Sequence, residues 1–143
     1  MDTTFRPREP FRTKAEIVTV SASIGTLTVN ATTTIHIPTP GRRCAILSAS
    51  ICQQTKAADA DGTVLATLKR RDISASADVA ASSAYDMEAA TNRQVDRVTM
   101  LGGTANRIKA KEDSLFLDVV NNSAAIDTQP VNAFVVVELA LLE

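Results

Sequence analysis

The last strand-like segment of the chain, residues 132–142, is apolar on both sides. Side chains alternate between the two sides of a strand, and only Glu138 interrupts the apolar pattern. One series is Ala133, Val135, Val137, Leu139 and Leu141, and the other is Phe134, Val136, Glu138, Ala140 and Leu142. A sandwich strand needs one apolar side, because the other normally meets water. The segment therefore predicts more than one buried contact.

We expect the series from Val135 to Leu141 to fill the core of the domain. Phe134, Val136 and Leu142 would then be exposed, and an exposed apolar stripe usually marks an interface. These three residues are the predicted oligomer interface, most simply in a homotrimer, with Glu138 hydrogen-bonded there or near the rim. The alternative is that a loop of the same chain, residues 73–94, covers this side.

Alternation with a period of two recurs along the rest of the chain and predicts further strands. It is clearest in residues 26–37, where apolar positions from Leu27 to Ile37 oppose Thr, Asn and His. Residues 73–94 are the weakest part, with a short strand near Ile73 and a helical turn over residues 86–90 that Ser83 could cap. The other predicted strands are residues 15–23, 42–54, 63–71, 95–101, 106–110 and 114–122. Many short strands separated by turn signals predict an all-β domain over residues 15–143, an antiparallel β-sandwich or jelly roll.

Residues 1–14 predict an extended N-terminal arm. Pro7 and Pro10 each remove a backbone donor and favour extended conformations in the residue before them. We expect the arm to reach another subunit or a larger protein surface, with Phe side chains as anchors and Arg side chains facing carboxylates. A disordered tail is the alternative. The residues predicted to make these contacts are Phe5, Arg6, Arg8, Phe11 and Arg12.

Composition excludes several classes of partner. The chain has 143 residues, a net charge of −1 and 3% aromatic residues, so it lacks the basic footprint and the stacking side chains of nucleic-acid binders. The apolar C-terminal run is too short to span a bilayer and contains Glu138. We expect neither nucleic acid nor a membrane among its partners.

The two cysteines are predicted to be unpaired. Cys44 and Cys52 fall in one predicted strand, which would separate them by roughly 26 Å, whereas a disulfide needs Cα atoms about 4.4–6.8 Å apart. Free thiols suit a protein that folds in a cytoplasm.

No motif in the sequence predicts catalysis, a cofactor or a metal. His36 is the single histidine, so neither a His-based metal site nor a second candidate base is available, and a solvated strand residue is expected. Residues 59–62 read DADG but fail the EF-hand pattern at its first and last positions, which leaves a β-turn. The basic clusters at residues 41–43 and 69–72 predict solvated strand ends, or else contact with an acidic surface.

The order of these segments resembles the small β-sandwich virion proteins of tailed bacteriophages, namely head decoration (cement) proteins and related accessory structural proteins. The resemblance covers most of residues 27–142. It rests on a strand, Pro-Gly corner and strand at residues 32–51, and on residues 58–72, 86–101 and 108–126. It implies a jelly-roll-like domain, no enzymatic activity, and binding to a capsid lattice, often as a trimer.

Two functions follow as hypotheses. In the first, the chain is a non-enzymatic virion structural protein that is made in the bacterial host cytoplasm. It binds the outer surface of a phage capsid and stabilises it by bridging capsomers, with the major capsid protein and its own copies as partners. The alternative is a receptor- or glycan-binding module of a phage fibre or baseplate. One Tyr, four Phe and no Trp weigh against the second, because sugar sites usually present aromatic platforms.

Overall fold

Ten strands and one helical turn follow one another along residues 16–60 and 62–142, the parts of the chain that the computed structural model describes. The predicted arm, with Phe5, Arg6, Arg8, Phe11 and Arg12, lies outside the described residues. The elements are β1 (Glu16–Ile24), β2 (Ala31–Ile37), β3 (Cys44–Thr55), β4 (Val64–Asp72), β5 (Ala77–Ala80), β6 (Tyr85–Asp86), β7 (Val95–Arg97), α1 (Thr104–Arg107), β8 (Ile108–Lys109), β9 (Ser114–Asn121) and β10 (Val131–Leu141).

The strands form two antiparallel sheets that pack against each other. Sheet A has the order β1-β10-β3-β7, with β8 also beside β3, and sheet B has the order β2-β9-β4-β5, with β6 also beside β4. The first strand therefore pairs with the last, and the second with the last but one. This nesting is the jelly-roll arrangement, and it confirms the predicted all-β sandwich.

The core lies between the sheets and consists of the inward side of each strand. From β10 it takes Val135, Val137 and Leu139, each fully buried, as the period-two pattern predicts. Sheet B supplies Leu68 and Leu117, among others. Each fully buried Val or Leu contributes roughly 1.5–3 kcal/mol of transfer free energy, so the inward series of β10 is a large part of what holds the sheets together.

The strand predicted over residues 26–37 begins later than expected. Leu27 is buried, but Val29 is 42% exposed and Asn30 has φ 47°, a left-handed conformation that Asn tolerates better than most residues. The Asn30 amide donates to the Ser123 carbonyl at 2.9 Å. The chain therefore turns at Asn30, and β2 begins at Ala31.

Two predictions for residues 73–94 are wrong. Ile73 lies in a turn, closed by the Ser76 amide at 3.3 Å from its carbonyl, and the strand follows as β5. The expected helical turn at residues 86–90 is instead a tight turn in which the Asp86 side chain accepts from the Glu88 amide at 2.9 Å. Ser83 does not cap it, because its hydroxyl donates to the Thr99 carbonyl at 3.2 Å.

The region before β9 also differs from the prediction. β7 covers only three residues of the strand expected at 95–101. The strand expected at 106–110 is shortened by α1, a single turn that begins after Gly103, whose φ of 94° suits glycine. Only Ile108–Lys109 remains extended, as β8.

Candidate functional site

The outward side of sheet A, named face A, carries Phe134 and Val136 of the predicted oligomer interface. Strand register aligns its residues in four rows across the sheet. The first row is Ile17, Ala140, Ala45 and Ile108; the second is Thr19, Glu138 and Ser48; the third is Ser21, Val136, Ser50 and Arg97; the fourth is Ser23, Phe134, Cys52 and Val95.

The two end rows of face A expose apolar side chains. Ile17 is 53% exposed, Val95 62% and Phe134 40%, and Leu142, just beyond the first row, is 39% exposed. An apolar side of this kind usually marks an interaction surface. The alternative prediction, that residues 73–94 cover it, is wrong, because β5 and β6 of that segment pair with β4 in sheet B.

The two middle rows of face A are largely polar, with Val136 of the third row as the apolar exception. They hold small hydroxyl side chains together with Glu138, which is exposed, and Arg97, which is exposed on the neighbouring row. From the first row to the fourth, face A is therefore apolar, acidic, mixed and apolar. It offers hydrogen-bond acceptors and donors between two apolar strips about six residues apart along β10.

A β-bulge interrupts the edge of face A at Leu47. The pairing of β3 with β10 shifts by one residue there, so Leu47 has no partner on β10. On its other side, β3 has no strand neighbour between β8 and β7 among the described residues. Arg107 of α1 fills this gap: Nε donates to the Ile46 carbonyl at 2.9 Å and Nη2 donates to the Leu47 carbonyl. The guanidinium thus takes the place of a missing strand.

The outward side of sheet B, named face B, is charged and internally paired. Asp118 on β9 accepts from the Thr34 hydroxyl at 2.7 Å and from the Lys69 ammonium at 3.1 Å. Arg71 donates to Asp78 at 3.0 Å across the β4–β5 hairpin. Among these described groups, each charge on face B has its counter-charge on the same face.

A shallow groove of about 230 Å³ lies on face B. His36 borders it, exposed on its strand as the sequence predicts. Its ring lies over Phe116, with centroids 6.3 Å apart, and Phe116 is only 6% exposed. The groove therefore offers little aromatic surface. Its lining residues are Thr34, His36, Arg71, Asp78, Ser114, Phe116 and Asp118.

The basic cluster at residues 69–72 is not a solvated strand end. Arg70 is buried and donates to Asp113 at 3.1 Å, and its guanidinium lies 3.3 Å from Asp72. The amide of Ala75, with the Ser74 hydroxyl and Arg70, lowers the pKa of Asp72. These contacts join the β4–β5 turn to the segment just before β9, so Arg70 stabilises the fold.

Lys109 is fully buried and bonded to backbone oxygens. Its ammonium donates to the Ala110 carbonyl at 2.8 Å and lies 3.5 Å from the carbonyl of Arg42. The loop before β3 is thereby tied to the turn after β8. The neighbouring Cys44 is also buried, and burial raises the pKa of its thiol, while the charge of Lys109 lowers it.

Both thiols are free, as predicted. Cys44 is buried with a raised pKa, and Cys52 is half-buried in the fourth row of face A. Burial, together with a 2.5 Å hydrogen bond to Asp96, also raises the pKa of Tyr85. This bond joins β6 of one sheet to β7 of the other.

Within residues 16–60 and 62–142, no three His, Cys, Asp or Glu side chains are grouped so that they could hold a metal ion. The described part of the chain also contains no helix with the length and apolar character needed to cross a membrane.

Sequence reasoning found part of face A and missed the rest. It named Phe134, Val136 and Leu142, which lie on or beside the face, with Phe134 and Leu142 exposed and Val136 half-buried. It missed Ile17 and Val95, which join the face only because β1 pairs with β10, and β7 with β3. The alternation of polar and apolar residues in β1 is the sequence signal that places Ile17 on the outward side of its strand.

Comparison with known proteins gives a likeness of fold. No family model and no curated protein matches the chain. Among solved structures, a chain of the cyanophage Pam1 capsid asymmetric unit has a similar fold, with a TM-score of 0.53 and 17% sequence identity. The match covers 99% of this chain and 97% of that chain. It thus extends over nearly the whole of both chains.

Proposed function

We propose that the protein is a non-enzymatic virion structural protein, which binds the outer surface of a phage capsid and stabilises it by bridging capsomers. The observation that carries the proposal is face A, an outward sheet surface with exposed apolar rows at both ends. A rigid sandwich with such a face is suited to binding other protein surfaces.

The fold likeness supports a place in the virion. The similar chain belongs to the capsid asymmetric unit of a cyanophage, and the likeness extends over nearly the full length of both chains. Jelly rolls occur in viral capsid proteins and also in lectins and cupins, so fold alone does not determine function. Face A and the paired charges of face B favour protein binding over ligand chemistry.

The proposed mechanism is added interface. Phe134, Val136 and Leu142 pack against another copy in a homotrimer, and the trimer contacts the major capsid protein. Full burial of an exposed Val, Leu or Phe side chain contributes roughly 1.5–3 kcal/mol. Phe134 and Leu142 are 40% and 39% exposed, so each contributes only part of that amount. Several linked contacts per trimer raise the overall affinity well above that of one contact.

The N-terminal arm adds contacts in this proposal. Phe5 and Phe11 serve as anchors, and Arg6, Arg8 and Arg12 face carboxylates of a neighbouring subunit or of the capsid. Residues 1–14 carry four basic and two acidic side chains, so the remainder of a chain with net charge −1 carries three more acidic than basic groups. This opposite balance favours association between arm and body.

Co-sedimentation with empty capsids of the cognate phage tests the function. We expect the wild type to pellet with capsids, and Val136→Lys to remain folded but stay in the supernatant. Val120→Lys is the matched control, because Val120 is also a half-buried outward valine on an inner strand, but on face B. Deletion of residues 1–14 should weaken pelleting. A wild type that does not bind capsids, or equal loss in both valine variants, would contradict the proposal.

The groove on face B supports a second candidate function, a receptor- or glycan-binding module of a fibre or baseplate. Its Asp, Arg and hydroxyl groups are of the kind that bind sugar hydroxyls. However, Asp118, Arg71 and Asp78 are already paired, and Phe116 is buried. Glycan-array binding by the isolated protein that is lost in Asp78→Ala would favour this function.

A further inference from the structure

The distance between the two apolar end rows of face A is similar to the distance expected between the two Phe residues of the arm. Phe134 lies in the fourth row, six residues along β10 from Ala140 in the first row. Ala140 itself is buried, and the exposed apolar side chain of the first row is that of Ile17. At about 3.3 Å per residue the two strips are roughly 20 Å apart. Glu138, exposed in the second row, lies between them.

The arm sequence has a matching pattern. Residues 5–11 read FRPREPF, with two prolines three residues apart, which favours the polyproline II conformation. Three residues make one turn of that helix, so Phe5, Arg8 and Phe11 would project from one side. With about 3.1 Å of rise per residue, the two rings would be roughly 19 Å apart. An apolar, basic, apolar pattern thus corresponds to the apolar, acidic, apolar pattern of face A.

The position of β1 favours docking of the arm on face A of a neighbouring copy over docking on face A of its own chain. β1 begins at Glu16, opposite Leu141, at the edge of sheet A. To cover its own face, the arm would have to reverse direction within residues 12–15. That segment reads RTKA and has none of the Gly, Pro, Asn or Asp residues that make tight reversals. An arm without a reversal leads away from its own face A.

We infer that Phe5 and Phe11 dock on the two apolar strips of face A of a neighbouring copy, with Arg8 beside that copy's Glu138. The inference rests on the proposed interface between copies and names the segment that covers it. Exchange of arms around a ring would link every subunit to the next. It would also give the exposed Phe134 and Val95 an apolar partner.

Cys52 provides a native reporter for this contact, because it lies in the fourth row between Phe134 and Val95. Phe5→Cys and Phe11→Cys are made singly in the full-length protein, which is then treated with oxidised glutathione. We expect one of the two variants to form an intermolecular disulfide with Cys52, seen on a non-reducing gel and located by peptide mass spectrometry. Position 6 would project from another side of a polyproline II helix, so Arg6→Cys should cross-link at least tenfold more slowly. Adding Cys52→Ser should abolish the link.

Two results would overturn the inference. An intramolecular disulfide, with loss of thiols but no shift on the gel, would mean that the arm covers its own face. Failure of both variants to cross-link, with every thiol still alkylated, would mean that the arm does not dock there. The measurement needs no capsid, so a protein that forms the intermolecular link but does not pellet with capsids refutes only the proposed function.

Discussion

The two outer faces of the sandwich each carry a carboxylate on an inner strand, but the surroundings of the two carboxylates differ. Glu138 on β10 and Asp118 on β9 are carboxylates on the outward side of the second strand of each sheet. Asp118 is 8% exposed and bonded to Thr34 and Lys69, whereas Glu138 is exposed among hydroxyl and apolar side chains. Face B is complete within one chain. Face A leaves Glu138 and the apolar side chains of its end rows exposed.

Outward residues in equivalent positions on the two faces are therefore expected to have different roles, in stability on face B and in association on face A. Substitutions on face B should change the free energy of unfolding, because they break contacts that a single chain makes. Substitutions on face A should change association with little effect on unfolding. The predictions below test this separation.

The largest effect is expected from Phe134→Ala. A partly exposed aromatic residue at the centre of an apolar strip is a typical hot spot, and its truncation costs about 2 kcal/mol or more of association free energy, roughly a 30-fold loss of affinity. Sedimentation over a concentration series measures the change. Ile73→Ala is the control, because Ile73 is 51% exposed but lies in the β4–β5 turn. An equal effect of both substitutions would mean that exposure, and not position on face A, decides association.

An intermediate effect is expected from Asp118→Ala. The change leaves the Thr34 hydroxyl and the Lys69 ammonium without their acceptor, and should lower the free energy of unfolding by about 1–3 kcal/mol. Glu138→Ala, an exposed substitution on the opposite face, should change it by less than about 0.5 kcal/mol. Urea unfolding of the two variants at one protein concentration checks the contrast. The separation fails if Glu138→Ala is the more destabilising of the two.

The smallest expected effect concerns thiol reactivity. Cys52 lies half-buried on face A, whereas Cys44 is buried and burial raises its pKa. Because the thiolate is the reactive form, iodoacetamide at neutral pH should label Cys52 before Cys44. Assembly should slow the labelling of Cys52, because a partner on face A would shield its thiol, and Val136→Lys should restore the faster rate. A Cys52 rate that is independent of assembly would show that face A stays open. Both thiols should label in denaturant.

Local patterns in the sequence predicted much of the fold and the centre of face A. The alternation in β10 separated Val135, Val137 and Leu139 from Phe134 and Val136, because strand geometry fixes which side each residue takes. β-Branched residues located β1, and apolar or small residues between turn signals located β3, β4 and β9, each within one or two residues.

What the sequence could not predict depends on contacts distant in the chain. Val95 belongs to face A because β7 pairs with β3, some forty residues earlier. Arg107 occupies a strand-sized gap that exists only after β7 and β8 have paired with β3. Arg70 resembles a solvated arginine in the sequence and is buried because Asp113, at the start of β9, lies beside it. Periodicity carries no information about such neighbours.

The different roles of the two faces are tested most directly by the native masses of the full-length protein and of two valine variants, measured by light scattering at matched concentrations. The claim is that face A joins copies and face B does not. We expect the wild type and Val120→Lys to have three times the 15.2 kDa mass of one chain, and Val136→Lys to be a folded monomer. A monomeric wild type, or a Val136→Lys variant that keeps the wild-type mass, would contradict it.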